Sequence, residues 1–282
     1  MEILTTIASL RAFLRPHRAA GRTLGFVPTM GALHEGHLSL LRRAKAECDL
    51  AVASIFVNPT QFAPTEDLAR YPRDLEGDRR LCASVGADAV FAPAPAEMYP
   101  EGAATWVIQD DATARCLEGE HRPTHFRGVL TVCLKLFHIV QPDRAYFGQK
   151  DFQQALLVRR MVRDLDLPME LVVCPIVREA DGLAMSSRNR YLDAAARRQA
   201  ASLSRGLERA RAAAAVGERS AAKLADVIRS EIVAAGPCEI DYIAIADPET
   251  LAPVAVVEKP VVALLAVRIA GTRLIDNLIL AP

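Results

Sequence analysis

Thr23-Leu24-Gly25-Phe26-Val27-Pro28-Thr29-Met30-Gly31-Ala32-Leu33-His34-Glu35-Gly36-His37-Leu38 is the stretch on which the fold turns. Residues 23–27 are rich in β-branched and aromatic side chains, and Leu38, Leu40, Leu41 and Ala44 then recur at helical spacing. A strand therefore runs into a helix, with two imidazoles at the junction and Gly31 and Gly36 keeping the backbone bare. First-turn N–H groups of a helix lack partners, and the helix dipole adds about half a positive charge there, so the junction suits an anion. On these residues alone three readings stand: phosphate ligands, a pair of metal ligands, or two half-buried core histidines.

Working outward, strand-like and helix-like patterns alternate through the first 175 residues. β-rich runs fall at residues 24–27, 50–57, 89–92, 145–147 and 171–174, with helical patterns at 38–46, 74–85, 128–139 and 152–165 between them. Several of the strands are nearly unbroken apolar runs, as expected when helices cover both faces of a parallel sheet. The expected fold class is α/β, a doubly wound, Rossmann-like parallel sheet whose ligand site lies at the carboxyl ends of the strands. Three polar clusters sit at such ends: residues 30–37, Asn58-Pro59-Thr60-Gln61, and Gly148-Gln149-Lys150-Asp151.

The pattern changes after Pro175. Residues 178–182 read as a turn, and Asp193 caps a helix running to Val216. A second helix spans 220–235, and strand-like runs close the chain at 240–246, 261–269 and 274–280. Grouped helices followed by grouped strands imply a smaller α+β domain. The expected division is 1–176, the Rossmann-like part, and 177–282, the smaller part carrying Met185-Ser186-Ser187-Arg188-Asn189. Two hydroxyls followed by a guanidinium can grip phosphate oxygens, although a helix cap beside a surface arginine is the blander alternative.

Composition narrows the function classes. Lys+Arg and Asp+Glu balance at 34 each among 282 residues, so no global field attracts a nucleic-acid backbone or an anionic membrane. Phosphate chemistry must then rest on a local pocket. The six cysteines are scattered without metal spacing and read as reduced thiols packed as small hydrophobes. Residues 1–14, punctuated by Glu2 and Arg11, show no signal-peptide pattern, and the longest apolar run, 261–267, is too short to span a bilayer. A soluble cytoplasmic protein is expected.

Within the polar clusters, Lys150 offers a compact positive charge to a phosphate, and Asp151 suits a ribose hydroxyl or the orientation of the lysine. Gln61 and Gln154 both donate and accept, which suits a hydroxylated organic acid. The His-x-Gly-His order at 34–37 resembles the signature of the nucleotidyl-transferring superfamily that includes class I aminoacyl-tRNA synthetases. More specifically, the chain is similar to the pantothenate synthetase family. The similarity rests on residues 28–37, Phe56-Val57-Asn58-Pro59-Thr60-Gln61-Phe62, Tyr71-Pro72-Arg73 and Gly148-Gln149-Lys150-Asp151-Phe152-Gln153-Gln154. Residues 185–189, Glu118 with Arg122-Pro123 and His125-Phe126-Arg127-Gly128-Val129, and Arg273-Leu274-Ile275-Asp276-Asn277 fit too. Thr124 departs from the glycine usual in that family between Pro123 and His125.

The resemblance implies ATP-dependent joining of pantoate to β-alanine through a pantoyl adenylate, releasing AMP and pyrophosphate. It places Met30, Gly31, Ala32, Leu33, His34, Glu35, Gly36 and His37 on ATP, with Gly148, Gln149, Lys150, Asp151, Val177, Met185, Ser186, Ser187 and Arg188. His34, His37 and Lys150 take the catalytic part, and Asn58, Gln61, Arg122, His125 and Gln154 hold the small substrates. Mg²⁺ is expected to arrive on the ATP phosphates, with no dedicated protein cage. No nucleic acid or membrane partner is expected, and the resemblance implies a homodimer. An adenylyltransferase of similar fold shares the first motif but leaves Gln61, Gln154 and the Ser186 to Arg188 loop without a joint purpose. A non-catalytic nucleotide sensor would bind ATP without turning it over.

Overall fold

The computed structural model describes residues 1–64 and 66–282. The chain comprises one unit of Met1–Gly148 with Gln153–Pro175, and another of Gln149–Phe152 with Ile176–Pro282.

The first unit runs β1 (Glu2–Leu4), α1 (Ile7–Ala19), β2 (Leu24–Thr29), α2 (Glu35–Glu47), β3 (Leu50–Ile55), α3 (Leu75–Ser84) and β4 (Ala89–Phe91). Three single-turn helices follow, α4 (Pro95–Met98), α5 (Ala112–Arg115) and α6 (Glu118–His121), then α7 (His125–Val140), β5 (Arg144–Gly148), α8 (Phe152–Asp164) and β6 (Glu170–Cys174). Among the described residues the six strands form one sheet in the order β1-β4-β3-β2-β5-β6, every pairing parallel. The order reverses between β2 and β5, so the carboxyl end of β2, where the two histidines follow, lies at the topological switch point of the sheet.

Strand alternation sends neighbouring side chains to opposite faces. Phe26 and Val52 join Leu10, Leu14, Leu130 and Phe137 in a core against α1 and α7, whereas Val27, Ala51 and Ala53 join Leu38, Leu41, Ala44 and Cys82 against α2 and α3. The doubly wound α/β reading is correct. Not anticipated were the three single-turn helices α4, α5 and α6, the strand β1, which pairs with β4, and α1, whose Thr6 and Ser9 form a reciprocal capping box. Cys48, Cys82, Cys133 and Cys174 are buried as free thiols, which are small apolar fillers there.

In the second unit α9 (Ala194–Ala215) and α10 (Ala221–Ala234) pack on an antiparallel sheet of β7 (Glu239–Ala246), β8 (Val261–Ile269) and β9 (Thr272–Leu280). Asp193 caps α9 by accepting from the N–H groups of Ala195 and Ala196, and Ser220 caps α10 by accepting from Lys223. Both caps satisfy backbone donors that the first helical turn leaves open. Leu203, Leu207, Leu224 and Ile228 bury their apolar stripes on Val261, Ala263, Leu265 and Val267 of β8. This is the α+β arrangement expected from grouped helices and strands. No helix among the described residues is long and apolar enough to cross a membrane.

Candidate active site

In the first unit the loop leaving β2 is held in a conformation few side chains adopt. Gly31 and Ala32 have φ of 81° and 51°. Asp78, on α3 and 3% exposed, stabilises this shape by accepting from the Ala32 and Leu33 N–H groups at 2.9 and 2.7 Å. A Cβ on Gly31 would lie 2.8 Å from the same carboxylate, so glycine is required there. Thr29 completes the anchor: its hydroxyl donates to the Ser54 carbonyl at 2.7 Å and accepts from the Gly31 N–H at 3.2 Å.

This anchored loop delivers His34 and His37 to the start of α2 in a reciprocal cap. His34 Nδ1 accepts from the Gly36 N–H at 3.1 Å, and His37 Nδ1 accepts from the His34 N–H at 3.3 Å. A ring nitrogen that accepts carries no hydrogen, so both imidazoles hold their proton on Nε2 in this arrangement. The ring centroids are 4.1 Å apart. Two Nε2–H donors at a helix start are suited to phosphate oxygens.

Beside this loop in the same unit lies an amide network. Gln61, 8% exposed, donates from Nε2 to the Met30 sulfur at 2.9 Å and accepts at Oε1 from Asn58 Nδ2 at 3.0 Å. Asn58 also donates to the Gly128 carbonyl at 3.2 Å and accepts at Oδ1 from the Tyr99 hydroxyl at 3.0 Å. The Gln61 amide is thereby held in one of its two flips. Ala32, Phe62 and Tyr71 form a small apolar cluster against which Met30 packs.

Arg122 and His125 serve the same turn. Arg122 forms two hydrogen bonds with Glu66, each at 2.7 Å, and a third with His125 Nε2 at 3.0 Å. His125 Nδ1 lies 2.9 Å from the Gln61 carbonyl. Arginine can only donate, so Nε2 accepts and Nδ1–H donates to Gln61. Burial would raise the Glu66 carboxyl, but the Arg122 hydrogen bonds and charge outweigh it and hold the group below its ordinary value. Thr124, with φ of −99°, sits in right-handed backbone open to any residue, so its departure from glycine leaves the turn unstrained.

Burial, followed by the Arg122 charge, brings the His125 ring down to about 4 from 6.5. Between those values the unfolded chain takes a proton that the folded one refuses, so the stability from neutral His125 is complete above 6.5. It is lost as pH falls toward 4, up to about 3 kcal/mol in all. Tm should fall over that window, and a His125→Asn variant should show a shallower fall in the same melting series. An equal slope would remove His125 as the source.

The second unit carries the other expected phosphate groups. Gln149–Asp151 form a single turn, with Lys150 Nζ 3.8 Å from the Asp151 carboxylate. The strap that follows β6 closes as the Met185 N–H donates to the Val177 carbonyl at 3.0 Å. It delivers Ser186, which caps the turn Ser187–Tyr191 by accepting from the Arg188 N–H at 3.3 Å. Asn189 holds this turn from below, donating to Glu179 at 2.8 Å and to the Ala184 carbonyl at 3.1 Å. The blander reading of Ser186 as a cap is therefore true, and it aligns Ser187 and Arg188 behind it.

The family model for pantoate-β-alanine ligase matches residues 2–279. The chain belongs to the pantoate-β-alanine ligase family. Pantothenate synthetase of Moorella thermoacetica is 56% identical over 280 residues, covering 99% of each chain. The crystal structure of pantothenate synthetase from Thermus thermophilus superposes with a TM-score of 0.96 at 49% identity, covering 100% of both chains. A pantoate-β-alanine ligase from Francisella tularensis, complexed with beta-gamma ATP and β-alanine, gives 0.81 at 34% identity over 99% of this chain and 97% of that one. The family expected from the motifs is the family found.

Sequence reasoning missed Asp78, Glu66 and Tyr99. Asp78 left one signal, since it shares a helix face with buried Cys82 four residues on. Gln154 sits half-buried on the first turn of α8, while its neighbour Gln153 turns inward, donating to the Thr113 and Cys116 carbonyls at 2.7 and 2.9 Å. Among the described residues no group of three or more His, Cys, Asp or Glu side chains is arranged to hold a metal ion.

Proposed function

We propose that this ligase forms pantothenate in two steps, with Lys150 and the paired histidines stabilising charge on the ATP phosphates. The carboxylate of (R)-pantoate attacks the α-phosphorus of MgATP and the bond to pyrophosphate breaks. The neutral amine of β-alanine then attacks the acyl carbon of the pantoyl adenylate. AMP leaves with one former carboxylate oxygen, and the new amide nitrogen loses a proton.

A carboxylate is already a nucleophile, so the first step asks for no general base. It asks for two anions held in line and for stabilisation of the leaving pyrophosphate. The reading is carried by the reciprocal histidine cap, in which each Nδ1 is occupied and each Nε2–H becomes a donor. The assigned roles are His34 and His37 on phosphate oxygens, with residues 30–36 along ATP. Met185, Ser186, Ser187 and Arg188 serve the triphosphate, Gly148, Gln149, Lys150 and Asp151 the ribose and phosphates, and Val177 the adenine. Mg²⁺ belongs to the substrate here, in keeping with its habit of binding through phosphates and water.

Asn58, Gln61 and Gln154 are assigned to pantoate and β-alanine. Arg122 and His125 belong to this set through the Gln61 carbonyl they hold. A cytoplasmic homodimer is part of the same reading, supported by the family resemblance.

The test uses pantoate labelled with ¹⁸O in its carboxylate. Attack by that carboxylate predicts AMP carrying one labelled oxygen, whereas unlabelled AMP would exclude the adenylate. Gln61→Ala should raise KM for pantoate about ten- to a hundredfold, because its hydrogen bonds to the acid are lost, while ATP affinity stays nearly intact. Equal weakening of both substrates in steady-state kinetics would contradict its assignment.

A further inference from the structure

We infer that Asn277, on the last strand of the chain, is a positioning residue for Lys150. The inference rests on the proposed role of Lys150 at the ATP phosphates. Asn277 is 1% exposed, and its Nδ2 donates to two successive carbonyls, those of Gln149 at 3.0 Å and Lys150 at 2.9 Å. Its Oδ1 accepts from Gln149 Nε2 at 3.2 Å. Both amide hydrogens are therefore used on the turn that carries the lysine, and the acceptor is used on the residue before it.

That turn needs outside support. Gln149–Asp151 is a three-residue 3₁₀ turn, too short to hold itself through a ladder of its own. Lysine also has a flexible stem with many rotamers, so the backbone beneath it has to be fixed before the ammonium can be aimed.

Asparagine is a poor default for a buried strand position, and an apolar replacement would remove both amide hydrogen bonds to the Gln149 and Lys150 carbonyls. The neighbouring residue holds the strand from its other face. Asp276, 3% exposed, receives the Arg178 guanidinium at 2.7 and 3.0 Å, and its Oδ1 accepts the Asn277 N–H at 2.7 Å. Arg178 also donates to the Gly182 carbonyl at 3.1 Å, tying in the strap that leads to Ser186.

The test is a double-mutant cycle read by pantoate-dependent exchange of pyrophosphate into ATP. Asn277→Ala and Asn277→Asp are each made with Lys150 intact and with Lys150→Ala. With Lys150 intact, Asn277→Ala should lower kcat about 10- to 100-fold, the range expected when a donor is misplaced by about an ångström. KM for pantoate should stay within about threefold. Asn277→Asp is nearly isosteric yet should lose at least as much, because it sets a carboxylate oxygen against two carbonyls. In the Lys150→Ala background both changes should cost less than about threefold, since nothing remains to be aimed.

An undiminished loss in that background overturns the inference, as does an Asp variant closer to wild type than the Ala variant, the pattern of mere space-filling. A loss under about threefold for Asn277→Ala with Lys150 intact overturns it too. Should Asn277→Ala fail to fold, the Asp variant and its own cycle decide the matter. The single Lys150→Ala arm separates the two layers. A loss below about tenfold there removes the lysine role and this inference together, whereas a large loss with an additive cycle removes Asn277 alone.

Discussion

Lys150→Ala is expected to lower the turnover of adenylate formation by about 10²- to 10³-fold, the usual cost of removing one charged donor from a transition state. The reasoning begins with the leaving group. Pyrophosphate gains charge as the bond to the α-phosphorus breaks, and a fixed cation offsets that charge more in the transition state than in bound ATP. The Lys150 side chain is 19% exposed, its ammonium lies 3.8 Å from Asp151, and its backbone is clamped by Asn277. A point charge so placed loses little in reorganisation when the reaction occurs. Single-turnover measurement with saturating pantoate and MgATP checks this, since it separates the chemical step from product release. A loss below about tenfold would take Lys150 off the catalytic list.

Gly128→Ala should destabilise the first unit and disturb the Gln61 turn together. The added Cβ would lie 2.4 Å from the Thr60 carbonyl oxygen, 2.6 Å from its carbon and 2.7 Å from the Gln61 Cα. All three are backbone atoms, so either α7 retreats or the turn Pro59–Gln61 shifts. The hydrogen bond from Asn58 Nδ2 to the Gly128 carbonyl ties helix and turn together, which makes separation costlier. Overpacking of this kind costs about 3 kcal/mol, or about 6–12 °C of Tm for a chain of this size. The same shift moves Gln61, so KM for pantoate should rise about a hundredfold while ATP affinity holds within a few-fold. Unchanged melting and unchanged pantoate kinetics would show that the helix and turn can part without consequence.

Much of the fold could be read in advance because its signals are local. The apolar run that became β3 and the cap at Asp193 that opens α9 are written within a few residues. The expected strand over 50–57 overran by two residues, since β3 ends at Ile55 and Asn58 then opens a 3₁₀ turn at Pro59. β1 and α1 were missed because a three-residue edge strand carries almost no periodicity, and Pro16 near the end of α1 reads as a breaker.

The candidate site divides along the same line. His34, His37 and Lys150 stand in compact motifs, whereas Asp78 reaches back 45 and 46 residues to the loop it pins. Asn277 reaches Gln149 and Lys150 from 128 and 127 residues away. Partners that distant are chosen by tertiary packing, and spacing along the chain cannot express them. The histidine tautomer was equally hidden, because it depends on which ring nitrogen meets a backbone N–H.

The central claim is that an acyl-adenylate forms before β-alanine takes part. The direct measurement supplies MgATP, labelled pyrophosphate and pantoate without β-alanine, and follows label entering ATP. Exchange that requires pantoate, and that falls with Lys150→Ala, is the predicted result. Exchange independent of pantoate, or none at all from enzyme that makes pantothenate when complete, would contradict the account.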